Sequence, residues 1–98
     1  MANRGEIACR ILRACKEAGH PTVAVCAPND AGSLFTEMAD QVVMLEGETI
    51  AETYLDQQQI IEAALATGAT AVHPGFGFLS ERAEFATAVQ AAGLTWVG

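Results

Sequence analysis

Three times along this 98-residue chain a helix-like stretch ends in glycine, and a short apolar, β-prone run begins within three residues. Cys15-Lys16-Glu17-Ala18-Gly19 precedes Thr22-Val23-Ala24-Val25, and Ala64-Leu65-Ala66-Thr67-Gly68 precedes Thr70-Ala71-Val72. Val89-Gln90-Ala91-Ala92-Gly93 precedes Thr95-Trp96-Val97. Each glycine stands where a helix needs positive φ to terminate, a conformation that a Cβ disfavours. Strand runs this short and apolar suit strands covered on both faces. The alternation predicts an α/β domain with a parallel sheet and flanking helices.

The helices can be placed from their periodicity. The first begins near Arg4, where Asn3 and Glu6 have capping-box spacing. Its apolar stripe is Ile7, Ile11 and Cys15 with Ala8 and Leu12, and Glu6, Arg10, Arg13 and Glu17 line the other face. The second main helix runs from about Asp56 to Thr67, with Ile60, Ile61, Ala64 and Leu65 inward. The third starts at Ser80 as N-cap and buries Phe85, Ala86 and Val89. A short helical turn at Leu34–Ala39 leads into a strand at Gln41–Leu45, and Trp96 and the Thr53-Tyr54-Leu55 segment read as packing residues. A doubly wound sheet carries a strand before its first helix. Here only Met1 and Ala2 precede the cap, and the chain stops at Gly98 after a strand. The sheet is therefore expected to lack its first strand, with both ends reading as cut.

Charge and cysteine usage exclude several functions. Twelve acidic residues against five basic ones give a formal charge of −7, with eight acids and no Lys or Arg from Asp30 to Glu62. That surface does not suit nucleic acid or an anionic membrane. No stretch reaches the roughly 20 apolar residues of a membrane span, and no signal peptide is visible. Cys9, Cys15 and Cys26 lack CxxC spacing and read as packing residues in a reducing compartment. His20 and His73 have no clustered carboxylates or thiols, so no metal site is expected, and nothing orients His73 as a base for Cys26.

The segment from His73 to Glu81, HPGFGFLSE, joins a strand end to a helix start, the side on which open α/β sheets bind ligands. Two glycines in three residues suit a backbone approached closely by a ligand, and they equally suit a tight turn. Asn3-Arg4-Gly5-Glu6 occupies the first loop. Neither GxGxxG nor GxxxxGK[ST] is present, which argues against an ordinary NAD enzyme or P-loop ATPase.

The runs ANRGEIA (residues 2–8) and RILRACKE (10–17), with HPGFGFLSE (73–81), closely resemble the signatures of biotin carboxylases. Ala39-Asp40, Tyr54-Leu55 and Ile60-Ile61 fall in family register between them. The resemblance implies a Rossmann-like parallel sheet with flanking helices, lacking its first strand, as the N-terminal domain over residues 1–98 of a ligase that uses ATP and bicarbonate to carboxylate biotin on a carrier domain. The ATP-grasp and C-terminal domains, with the ATP-binding lysines, magnesium ligands and catalytic base, would lie outside these residues. It further implies that Phe76, Gly77, Phe78 and Glu81 face biotin and bicarbonate. Arg10, Arg13 and Glu17 match positions near a homodimer interface, although as residues alone they equally describe an exposed helix face.

Partners would be the remaining carboxylase domains, the carrier domain and a carboxyltransferase, in the cytoplasm or, in a eukaryote, the mitochondrial matrix. The chain departs from the family pattern at three places. Phe76 stands for a usual Tyr, Asp30 lacks the arginine that follows it, and Glu46-Gly47-Glu48-Thr49 replaces a Gly/Pro-rich approach to Tyr54. The competing expectation is a stand-alone, non-catalytic interaction domain that pairs through the Arg10/Arg13/Glu17 face. The 98 residues alone are expected to be inactive, to bind no ATP, and to be marginal in stability or to associate through strand edges.

Overall fold

The three helix–glycine–strand units close with one hydrogen-bond pattern. The amides of Gly19, Gly68 and Gly93 donate three residues back, to the carbonyls of Lys16, Leu65 and Gln90. The following amides, of His20, Ala69 and Leu94, donate five residues back, to Cys15, Ala64 and Val89. This is the Schellman closure, and the three glycines hold it at φ of 81°, 74° and 84°. The computed structural model describes residues 1–97, and Gly98 lies outside them.

The elements run α1 (Gly5–Glu17), β1 (Val23–Cys26), α2 (Leu34–Met38), β2 (Gln41–Met44), α3 (Gln57–Thr67), β3 (Ala71–Val72), α4 (Ala83–Ala91) and β4 (Thr95–Trp96). Single 3₁₀ turns lie at Pro28–Asp30 and Phe78–Glu81. The strands form two parallel pairs. β1 aligns Val23 with Gln41 through Cys26 with Met44, and β3 aligns Ala71 with Thr95 and Val72 with Trp96. Residues 1–2 lie between the pairs, where a central strand would run. The Met1 nitrogen donates to the Val23 carbonyl (2.7 Å) and the Ala2 amide to the His73 carbonyl (2.9 Å). The expected α/β architecture is therefore present, with residues 1–2 as a seam between the two strand pairs.

β1 separates two cores. Ala24 and Cys26 face Ala8, Cys9 and Leu12 of α1 and Phe35 of α2. Val25 faces the larger cluster of Leu45, Tyr54, Ile60, Val72, Leu79, Phe85 and Val89. Alternating β1 side chains thus enter opposite cores, which is why the strand is apolar throughout. At its start Asp40 brackets Thr22. The Thr22 amide (2.7 Å) and hydroxyl donate to Asp40 Oδ2, and the Asp40 amide donates back to Thr22 Oγ1.

Several local expectations are corrected. Asn3 and Glu6 form no capping box, because α1 starts without a side-chain cap and Asn3 is engaged elsewhere. The buried stripe of α1 is Ala8, Cys9 and Leu12. Ile7, Ile11 and Cys15 are only half-buried, since the helix is rotated toward the small side chains of β1. α3 does start at Asp56, whose carboxylate accepts from the Gln58 and Gln59 amides. It buries Ala63 rather than Leu65, which is 54% exposed. Ser80 does not cap α4. Its hydroxyl and amide donate to the Gly77 carbonyl inside the 3₁₀ turn, and the helix begins three residues later. Trp96 is half-buried, edge-on to Phe85 at 5.4 Å.

Candidate functional site

At the carboxyl ends of the strands, three loops are joined by one buried carboxylate. Asp30 is 6% exposed and follows β1. It accepts from Arg4 Nε (2.7 Å) and Arg4 Nη2 in a two-pronged ion pair, and from the Tyr54 hydroxyl at 2.6 Å. The same tyrosine oxygen accepts from the Ala27 amide at 3.0 Å. The Arg4 guanidinium holds the Asp30 carboxyl below the usual carboxylate range, against the opposing effect of burial. Burial, and then the hydrogen bond to Asp30, push the Tyr54 phenol above its ordinary value. Every buried side-chain polar atom among the described residues has a partner. Tyr54 is the packing residue that its sequence setting implied.

The other face of Tyr54 carries the glycine-rich loop. Its ring stacks on Phe78 at 5.5 Å and 10°. Phe78 adopts φ 46°, a left-handed conformation that costs a bulky residue about 1–3 kcal/mol and persists only where packing enforces it. Asn3, expected at a helix cap, instead braces this loop from the segment just before α1. Its amide nitrogen donates to the Pro74 (2.8 Å) and Phe76 carbonyls. The close approach requires a glycine between those two residues, because a Cβ on Gly75 would meet Asn3 Nδ2 at 2.9 Å.

The predicted site residues divide accordingly. Phe76 is 74% exposed, and Glu81 lies exposed in the 3₁₀ turn. Gly77 takes φ 67° and ψ −163° between them. Phe78 is turned inward onto Tyr54 and supports the loop from below. The amides of Phe76 and Gly77 have no acceptor among the described residues. Arg10, Arg13 and Glu17 are all exposed on α1, and none of them forms an ion pair among the described residues. The half-buried stripe of α1 and the loop enclose a groove of about 410 Å³, lined by Ile7, Arg10, Ile11, Cys15, His73 and Phe76.

Cys26 is fully buried, donates its thiol to the Ala27 carbonyl, and has its pKa pushed up by burial, so it is no nucleophile for His73. No cluster of three or more His, Cys, Asp or Glu side chains among the described residues fits a metal ion. Among the described residues no helix is long and apolar enough to cross a membrane. Sequence reasoning missed the Arg4–Asp30–Tyr54 junction and the Asn3 brace. The available signal was a lone acid in an apolar Ala-Pro-Asn-Asp turn, with the partners 26 and 24 residues away.

The family model for the biotin carboxylase N-terminal domain matches residues 1–98. The chain is 52% identical over all 98 residues to a biotin-dependent acyl-coenzyme A carboxylase alpha3 subunit of Mycobacterium leprae, spanning 16% of that protein. It is 50% identical to the biotin carboxylase of Pseudomonas aeruginosa, spanning 22%. The crystallised biotin carboxylase domain dimer of Hydrogenobacter thermophilus 2-oxoglutarate carboxylase, in complex with MgADP, ADP and bicarbonate, superposes with a TM-score of 0.95 at 44% identity. That alignment covers 99% of this chain and 21% of the other. The chain thus spans less than a quarter of the length of these relatives. Its two signature segments are the seam with α1 and the braced glycine loop, and the chain belongs to the biotin carboxylase N-terminal domain family.

Proposed function

We propose that residues 1–98 are the N-terminal domain of a biotin carboxylase and form one wall of its active site. The ATP-grasp and C-terminal domains supply the nucleotide clamp, the magnesium ligands and the catalytic base. The full-length ligase consumes ATP and bicarbonate to carboxylate biotin on a carrier domain, which then delivers to a carboxyltransferase. The cytoplasm or the mitochondrial matrix would house it.

The observation that carries this reading is the braced loop. Asn3 and Tyr54 fix it from two sides while the Phe76 ring and the Phe76 and Gly77 amides stay open. An apolar ring beside two unpaired donors suits a flat, weakly polar group with carbonyl oxygens, such as the ureido ring of biotin, or a small anion such as bicarbonate. Fixing the loop beforehand spares the ordering cost on binding.

Phe76→Ala in the full-length enzyme tests this cleanly, because an exposed ring contributes little to folding. The KM for biotin should rise about tenfold, as expected for loss of one aromatic contact, with the KM for ATP unchanged. A rise confined to ATP would overturn the assignment.

The unpaired charges of Arg10, Arg13 and Glu17 favour a second role, pairing of two copies through α1. Sedimentation of Arg13→Glu should show the full-length enzyme shifting from dimer to monomer. An unchanged dimer would remove this face from the interface.

A further inference from the structure

We propose that His73 is a positioning residue that locks the glycine-rich loop through its neutral imidazole and releases it on protonation. The proposal rests on the reading that this loop borders the biotin and bicarbonate site.

The geometry is specific about the proton. The Gly75 amide donates to His73 Nδ1 at 3.1 Å. Nδ1 must therefore carry a lone pair, and the neutral ring keeps its proton on Nε2. A protonated ring has N–H at both positions, and the amide would then face a donor. The loop would lose this acceptor while its other ties, from Asn3 to the Pro74 and Phe76 carbonyls, remain. The His73 backbone is itself fixed, since its carbonyl accepts from the Ala2 amide. Protonation would thus be felt in the segment from Gly75 to Phe76, and not in β3.

The surroundings favour the neutral ring. Arg10, Cys15 and His20 of α1 and its following turn share the groove with His73, and the Met1 amino group lies on the N-terminal segment beside it. No carboxylate lines that groove. Burial lowers the His73 pKa. The sign follows: with a folded-state pKa below the ordinary value of about 6.5, the loop contact is complete above that value. It is lost as pH falls through the lower, folded-state value.

The discriminating variant is His73→Asn. Its Oδ1 occupies nearly the place of Nδ1, accepts from an amide two residues on as Asx turns do, and does not titrate. His73→Leu removes the acceptor at every pH. Two readouts on the full-length enzyme are needed, each at about pH 8 and at the acid end of a descending pH series carried through the wild-type transition, and expressed as variant over wild type, so that substrate ionisations cancel. The first is hydrogen–deuterium exchange of the 74–79 segment, corrected for intrinsic rates. The second is kcat/KM for biotin.

In wild type the segment should lose about fivefold protection on acidification, the size of one neutral hydrogen bond. His73→Asn should keep its protection at both pH values and abolish the acid-side loss of kcat/KM relative to wild type. His73→Leu should be low in both readouts at both pH values. An acid-induced loss in His73→Asn equal to that of wild type would overturn the proposal. If protection follows this pattern while biotin kinetics ignore it, the brace stands and the placement of the loop beside biotin fails.

Discussion

At the scale of single residues, Asp30 governs the carboxyl edge of the sheet. Its two oxygens serve Arg4 from the first loop and Tyr54 from the approach to α3, so one carboxylate ties three segments. The Arg4 side chain is 43% exposed and would be rehydrated if its partner were removed. The loss should therefore fall below that of a fully buried pair. Asp30→Asn should cost about 2 kcal/mol by denaturant unfolding, the range for charge-assisted hydrogen bonds. The effect should also depend on pH. With a folded-state pKa below the ordinary Asp value, the contribution is fully present above about pH 4 and disappears as pH falls through the lower value. Wild type and variant should thus converge in strong acid; a gap that persists there would show that packing, not charge, holds the junction.

At the scale of elements, the recurrent helix stop is the most repeated device in the chain. At Gly68 nothing lies within 4 Å of an added Cβ, so a substitution there tests conformation alone. Gly68→Ala should destabilise by about 1 kcal/mol through forced positive φ, with no change in m-value. A neutral result would mean that α3 can end without its left-handed residue. α1 shows a different lesson. Its i, i+4 pattern carries two adjacent apolar stripes, and the half-buried one faces the groove beside Phe76 while the other meets β1. Periodicity identifies that a helix is amphipathic but not which of two neighbouring stripes faces the larger partner.

At the scale of the molecule, the seam is the weak point. Two backbone bonds from residues 1–2 join the halves among the described residues, and each half otherwise presents a strand edge toward the gap. Both cores reach the seam, since Ala2 belongs to one and Met1 packs against the other. Expressed as these 98 residues, the chain should self-associate at micromolar concentration or unfold with a small margin, because unpaired edges template pairing. Sedimentation combined with amide exchange checks this. A monomer with strongly protected β1 and β3 amides would contradict it.

What the sequence by itself determined is everything carried by local rules. The α/β alternation, the three glycine stops, the start of α3 near Asp56 and the place of the His73–Glu81 loop between a strand end and a helix follow from spacing and backbone preference, which act within a few residues. The two signature runs carry the chain's family in its sequence. Only the tertiary structure decided what Asn3, Asp30, Tyr54 and Ser80 do. The spacing of Asn3 to Glu6 permits a helix cap. Asn3 became a loop brace because the fold brings Pro74 and Phe76, more than 70 residues away, within hydrogen-bond reach. Asp30 gained its ion pair for the same reason. A polar side chain takes the partner that burial leaves available, and burial is set by the assembled layers, not by sequence neighbours.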